Sequence, residues 1–199
     1  MKKDLILYGI GKFSQYVRYL FENDSDYNVI GYCIEEKLWG SSSFDNKPLM
    51  KFEDLHQDFP PESYELFIAV GNNKLRERFF TLAKQKGYNL ASYISSKAQF
   101  WPDLETGENV FIGEGSTIHP FVSIRDNSFL ICANIAHHCK IGKHCLLSVS
   151  TLGGDVSIGN NSFLGMNSTI KHGLSIGENS IIGMNACIEK NTQPNSVIT

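Results

Sequence analysis

Hydrophobic and polar positions follow two different rhythms along the chain. In the first half, short apolar runs alternate with amphipathic stretches. Residues 5–8 read as a strand and Gly9-Ile10-Gly11 as a turn. Residues 12–23 read as a helix with Phe13, Tyr16, Val17, Leu20 and Phe21 on one stripe. A second strand at 28–34 runs into the acids Glu35 and Glu36, and a long polar stretch over 39–47 ends in Pro48-Leu49. A third strand at 66–70 ends in Gly71-Asn72-Asn73. Residues 74–86 form a helix with Leu75, Phe79, Leu82 and Ala83 in phase, and residues 91–94 a last strand. Strands alternating with helices predict a small parallel α/β sheet.

The second rhythm has a period of six. Aliphatic residues recur at Ile112, Ile118, Ile124 and Leu130, slip by one to Ile135, Ile141 and Leu147, and slip again to Leu152, Ile158, Leu164, Ile170, Ile176, Ile182 and Ile188. Six fits neither an amphipathic helix nor an alternating strand. It fits a parallel β-helix with three hexapeptides per coil, the leading aliphatic pointing inward. Asn161, Asn167, Asn179, Asn185 and Asn191 take the fourth place, where Asn tolerates a left-handed backbone. A run of hairpins would not keep one register over so many hexads. The change of rhythm divides the chain into an α/β domain, 1–105, and a β-helix domain, 106–199, joined around 100–109.

Composition follows the same division. Of the 18 Lys and Arg, only Arg125, Lys140, Lys143, Lys171 and Lys190 lie past residue 105, whereas all 8 Tyr and both Trp lie before it. The net charge of −3 averages two unlike halves, and with a pI near 6.1 it predicts no nucleic-acid partner. No run of about 18 apolar residues predicts a membrane span, and the first residues predict no cleaved leader. Cys33, Cys132, Cys139, Cys145 and Cys187 are odd in number and lack a C-x-x-C pair, which suits a reducing, cytoplasmic setting.

Candidate chemistry gathers at two places. In the α/β half, Gly9-x-Gly11 follows a strand and opens a helix whose free N–H groups suit phosphate, or it is only a tight turn. Ser14 stands where a dinucleotide motif asks for a third glycine. Glu35, Glu36, Gly71 and Asn72 end neighbouring strands at the same edge and together predict a nucleotide pocket. In the repeat half, His119, His137, His138, His144 and His172 are the imidazoles. His137-His138 falls at a corner between two inward aliphatics, and Gly153-Gly154-Asp155 lies near the second irregular step, where departures from regularity mark function. A histidine there can serve as general base. Zinc held by three of these imidazoles is the rival chemistry.

The motifs His137-His138-Cys139-Lys140-Ile141-Gly142, Gly154-Asp155-Val156-Ser157-Ile158-Gly159, Tyr8-Gly9-Ile10-Gly11 and Ala69-Val70-Gly71-Asn72 resemble the bacterial hexapeptide sugar acetyltransferases. The similarity is to the two-domain group that includes sialic acid O-acetyltransferases and N-acetyltransferases of nucleotide-linked 4-amino-4,6-dideoxysugars. The resemblance implies a Rossmann-like α/β domain followed by a left-handed parallel β-helix, assembled as a homotrimer. It implies acetyl transfer from acetyl-CoA to the amine of a nucleotide-linked sugar for surface glycan synthesis. Sialic-type O-acetylation and a non-catalytic sugar-nucleotide-binding module are the alternatives.

By that resemblance His137 is the base. His138 stands where the family has an acid, with Asp126 or Asp155 as other candidates to orient His137, and Leu146 stands where the family has a second histidine. Gly154 offers an oxyanion N–H, a donor whose removal typically costs about 3–4 kcal/mol. Asn167, Gly173 and Gly183 face CoA, with Lys171 or Lys190 near its phosphates. Gly9, Gly11, Lys12 and Phe13 meet the nucleotide phosphates, Glu35 and Glu36 the ribose or base, and Gly71 and Asn72 the same pocket.

Overall fold

Leu5, Ile6, Leu7 and Tyr8 are all buried, and a strand buries every side chain only when both of its faces are covered. The computed structural model describes residues 2–199 and sets this run in the middle of a sheet. The order along the chain is β1 (Lys3–Tyr8), α1 (Lys12–Asn23), β2 (Tyr27–Ile34), β3 (Ser43–Phe44), β4 (Lys47–Lys51), α2 (Leu55–Asp58), β5 (Glu65–Ile68), α3 (Asn73–Gln85) and β6 (Asn89–Leu90). The sheet runs β3-β4-β2-β1-β5-β6, parallel except for β3. The polar stretch expected over 39–47 folds into the β3–β4 hairpin. Its turn residues Asp45 and Asn46 both have positive φ, 51° and 59°, the backbone that two-residue hairpin turns require.

Both long helices form where the periodicity places them, with their buried faces turned slightly from expectation. On α1 the buried residues are Ser14, Val17, Leu20 and Phe21, while Tyr16 is exposed. Ser14 fits against the sheet because its hydroxyl donates to the Gly11 carbonyl at 2.7 Å. On α3 the buried residues are Arg76, Phe79 and Ala83, and Leu75 is exposed. The Arg76 guanidinium is satisfied locally, donating to the carbonyls of Val70 and Gly71 at 3.1 Å each.

The chain divides at Met1–Ser92 and Tyr93–Thr199, earlier than position 105. Only Tyr93–Ile94 of the strand expected at 91–94 forms, and the first sheet ends earlier, at Asn89–Leu90. β6 closes the first sheet, whereas Tyr93–Ile94 pairs with Phe111–Ile112 as the first strand of the β-helix. Ile94 takes the leader place of this opening coil, in register with Ile112 and beside Tyr93, which stacks on Phe111 with ring centroids 5.2 Å apart, but Phe100 and Thr106 stand where the next two aliphatics would be. Those substitutions hid the coil from the six-residue pattern.

The β-helix has three faces of stacked parallel strands, with seven, five and five strands. The first face holds Tyr93–Ile94, Phe111–Ile112, Phe129–Ile131, Leu146–Ser148, Phe163–Leu164, Ile181–Ile182 and Val197–Ile198. The second holds Thr117–Ile118, Asn134–Ile135, Thr151–Leu152, Thr169–Ile170 and Cys187–Ile188. The third holds Glu105–Thr106, Ser123–Ile124, Lys140–Ile141, Ser157–Ile158 and Ser175–Ile176. The hexad leaders from Ile112 to Ile188 are buried in one continuous core.

The two slips fall at one place, the corner between the first and second faces. Ile118, Ile135, Leu152 and Ile170 still stack in register. The missing residues are absorbed at Cys132 and Val149, whose φ values are 49° and 47°. Of the expected Asn corners, Asn161, Asn167, Asn179 and Asn185 have positive φ. Asn191 does not, and its Oδ1 accepts from the Ser175 N–H at 2.9 Å.

The corner between the third and first faces carries a polar ladder. Asn109 Nδ2 donates to Asn127 Oδ1 at 2.7 Å, and Asn127 Nδ2 donates to His144 Nδ1 at 2.7 Å. All three side chains are buried. Replacing Asn127 by Ala strips a partner from both neighbours, and an unsatisfied buried polar group costs about 1–3 kcal/mol. Urea unfolding of Asn127→Ala is expected to show a loss of that order.

Candidate active site

The corner between the second and third faces places one residue of each coil directly over the next. Backbone bonds tie the column together: His138 N–H donates to Pro120 O at 3.2 Å, Asp155 N–H to His137 O at 2.8 Å, and Gly173 N–H to Gly154 O at 2.9 Å. Pro120, His137, Gly154 and His172 therefore occupy equivalent places on successive coils, 17 or 18 residues apart as the strands leading into them pair. His137 and His138 are exposed at this corner.

The His137 imidazole lies over Gly154. A Cβ at position 154 would come within 2.6 Å of His137 Cε1 and 2.8 Å of Nε2, closer than real Cβ contacts allow, so only glycine leaves the ring its place. The Gly154 N–H donates to no partner among the described residues, which leaves it available beside the imidazole. His137 Nδ1 sits 3.1 Å from His138 Nδ1. One of the two must donate and the other accept. With His137 donating from Nδ1, its Nε2 carries the free lone pair, the arrangement a general base requires.

Within the chain His138 is the side chain that meets His137 Nδ1, and neither aspartate carboxylate does. Asp126 stands at the far corner in an ion pair with Lys143 at 2.9 Å. Burial would raise its pKa, but the Lys143 ammonium and the Glu108 N–H hold the carboxyl below the usual range. Asp155 meets His137 through its own backbone N–H. His144 belongs to the asparagine ladder on that far corner, away from the His137–His138 pair. Asn167 and Gly173 flank the strand Thr169–Ile170 on the second face. Gly173 has φ 71° and open space beside it. Gly183 lies beneath Thr199, whose Cα is 3.1 Å from where a Cβ would stand.

In the α/β unit the expected residues do gather at the carboxyl edge of the sheet. Gly9 ends β1 at φ 119°, and a Cβ there would meet the Ala69 carbonyl at 3.0 Å, so the ends of β1 and β5 approach closely because the residue is glycine. Gly11 caps α1 without a side chain, and Lys12 and Phe13 begin the helix, so their N–H groups have no intrahelical acceptor. Gly11 and Gly71 both have open space around them.

The polar side chains at this edge already have partners. Asn72 caps α3, its Oδ1 accepting from Leu75 N–H at 3.0 Å. Glu35 is buried, with Oε1 held by Arg78 at 2.9 Å and Lys37 at 3.2 Å. Glu36 pairs with Lys51 at 2.6 Å. The sequence reading missed Arg78, Arg76 and Phe121. Phe121 alone carried a signal, a bulky ring in the fourth place of its hexad where Asn recurs.

Against known proteins, a family model described as PglD N-terminal domain matches residues 4–83. Models described as hexapeptide repeat of succinyl-transferase and bacterial transferase hexapeptide match residues 106–136 and 155–190. The matched segments together carry the α/β half and most of the repeat region. Among its relatives, GDP-perosamine N-acetyltransferase of Escherichia coli O157:H7 is 30% identical over 115 residues, 54% of this chain and 49% of that protein. The match therefore spans about half the length of that relative.

PerB from Caulobacter crescentus, solved with CoA and GDP-perosamine, aligns with a TM-score of 0.85 at 24% identity over 97% of this chain and 91% of that one. The acetyltransferase domain of PglB from Neisseria gonorrhoeae gives 0.85 at 20% identity over 96% and 93%. The fold is accordingly a Rossmann-like domain followed by a left-handed β-helix.

Gly154→Ala tests the packing at the corner. It is expected to keep the circular-dichroism spectrum and to push the His137 imidazole off its place over residue 154, read as shifts of the His137 ring resonances.

Proposed function

We propose that the chain is an acetyl-CoA-dependent N-acetyltransferase whose acceptor is the amine of a nucleotide-linked amino sugar, such as a 4-amino-4,6-dideoxysugar used for surface glycans. The observation that carries this reading is the His137 imidazole lying over the unpaired Gly154 N–H, with its Nδ1 against His138. The relative named as a GDP-perosamine N-acetyltransferase and the neighbour solved with CoA and GDP-perosamine support it.

Acetyl-CoA supplies an acyl group activated as a thioester. His137 Nε2 takes the proton of the attacking amine. His138 accepts from His137 Nδ1–H, which holds the tautomer with Nε2 free. The Gly154 N–H donates to the oxygen on which negative charge develops; collapse of the tetrahedral intermediate then breaks the C–S bond, His137 Nε2 returns its proton to the departing sulfur, and free CoA thiol and the amide are the products. Asn167, Gly173 and Gly183 lie toward the CoA side, with Lys171 or Lys190 near its phosphates.

In the α/β unit, the start of α1 at Gly11, Lys12 and Phe13 takes the nucleotide phosphates. Gly9 and Gly71 leave the backbone accessible beside it. Glu35 and Glu36 meet the ribose or base, and Glu35 keeps Oε2 for this because both cations sit on Oε1. The active assembly is a cytoplasmic homotrimer.

The test is a thiol-release assay with acetyl-CoA against amino-sugar nucleotides and hydroxyl-bearing sugars, run beside His137→Ala. Turnover is expected on an amino-sugar nucleotide and a drop of about a hundredfold or more in the variant. Turnover only on hydroxyl acceptors would replace the amine assignment with O-acetylation, and a folded His137→Ala of undiminished rate would remove the base. Sedimentation of the active protein is expected to give a trimer.

A further inference from the structure

The three corners of the β-helix differ in how they treat their left-handed residues. The corner from the third face to the first uses Asn109, Asn127, Asn161, Asn179 and Asn195, with His144 as the exception. Asparagine is the non-glycine residue that accepts this backbone most readily. The catalytic corner instead uses Phe121, His138, Asp155 and Gly173. At φ 64°, Phe121 is a bulky aromatic in a conformation where such residues are outliers. Its side chain is 64% exposed, so burial does not offset the strain.

The surroundings hold the residue there all the same. Phe121 N–H donates to Asp103 Oδ2 at 2.7 Å, and the carbonyl of Pro120 before it accepts from His138 N–H at 3.2 Å. The Phe121 ring lies with its centroid 4.7 Å from that of His138 and its plane tilted by 43°. That contact is within the range of favourable aromatic pairs. His138 in turn meets His137 Nδ1 to Nδ1. Strain that persists at a functional corner because its surroundings over-determine it is the pattern expected of a residue kept for its side chain.

We propose that Phe121 is a positioning residue of the acyl-transfer site: its ring holds the His138 imidazole in the orientation that accepts from His137 Nδ1–H. An exposed imidazole has several rotamers of similar energy, and only one brings Nδ1 to its neighbour. The Phe121 ring at 4.7 Å and the His137 ring at 5.2 Å together disfavour the alternatives. The catalytic consequence rests on the proposed acetyl transfer, whereas the tautomer of His137 does not.

Phe121→Asn separates the two roles, since Asn suits the left-handed backbone but cannot hold the imidazole. It is expected to keep the assembly state and a melting temperature equal to or above that of the parent. Its kcat should fall about tenfold with KM for acetyl-CoA unchanged. Phe121→Tyr, which retains the ring, should stay within about twofold of the parent. Nitrogen-15 spectra of the imidazoles should show His137 as the Nδ1–H tautomer in the parent and as a mixture of tautomers in Phe121→Asn.

An unchanged tautomer in Phe121→Asn would overturn the proposal. So would a loss confined to KM, a loss that follows from dissociation of the assembly, or a Phe121→Tyr variant as impaired as Phe121→Asn. A parent protein that transfers no acyl group would defeat the function proposed above, and the imidazole spectra would still decide the role of Phe121.

Discussion

Each coil of the β-helix must bring the chain back over the same three aliphatic positions, and it does so through corners that enter the left-handed region. The rest of the second unit depends on that return. The inward Ile and Leu columns stack only if successive coils stay in register. They stay in register only if every corner closes within four residues, or within three where Cys132 and Val149 stand. Removing apolar surface from water at about 25 cal/mol per Å² is what drives the stacking. The corners contribute little to that burial and decide only whether it can occur.

The same constraint builds the candidate site. Stacked corners put a residue of one coil directly over its equivalent in the next, so His137 meets Gly154 although 17 residues separate them along the paired strands. The corner geometry leaves an N–H unpaired at Gly154, directly beside the imidazole above it. His138 owes its position to the same turn, at a left-handed place that asparagine takes more often than any other residue along the β-helix. Phe121 holds the equivalent left-handed place one coil earlier although it is exposed and gains little burial there.

The α/β unit reaches its edge by different means. A continuous apolar run makes β1 central, and the chain ends that converge beside it carry glycine where backbones must approach, as at Gly9 against Ala69. Its charged and amide groups are largely taken up by their neighbours. Asn72 closes a helix, and Glu35 is held by Arg78 and Lys37. What this edge offers an anionic ligand is mainly backbone, the uncapped start of α1 above all.

The sequence by itself determined the period, and with it the fold of the second unit. A six-residue recurrence of aliphatics is a local property of the chain, as are the apolar run of β1, both long helices and the pairing of His137 with a corner. The two slips were visible too, and both fall one corner before the His137 column, between the first and second faces. Only the tertiary structure decided the rest. Nothing local says that Tyr93 leaves one sheet for another, because that depends on its stacking against Phe111. His138 meets His137 as its neighbour in the chain, but nothing local says that Asp126 stands at another corner, because that depends on how the coils stack. Asn191 sits in a corner place and turns otherwise, since its amide finds a backbone partner on the neighbouring coil. Side chains meet here across coils, 17 or 18 residues apart, and that distance is set by how the coils stack, which a hexad taken alone does not contain.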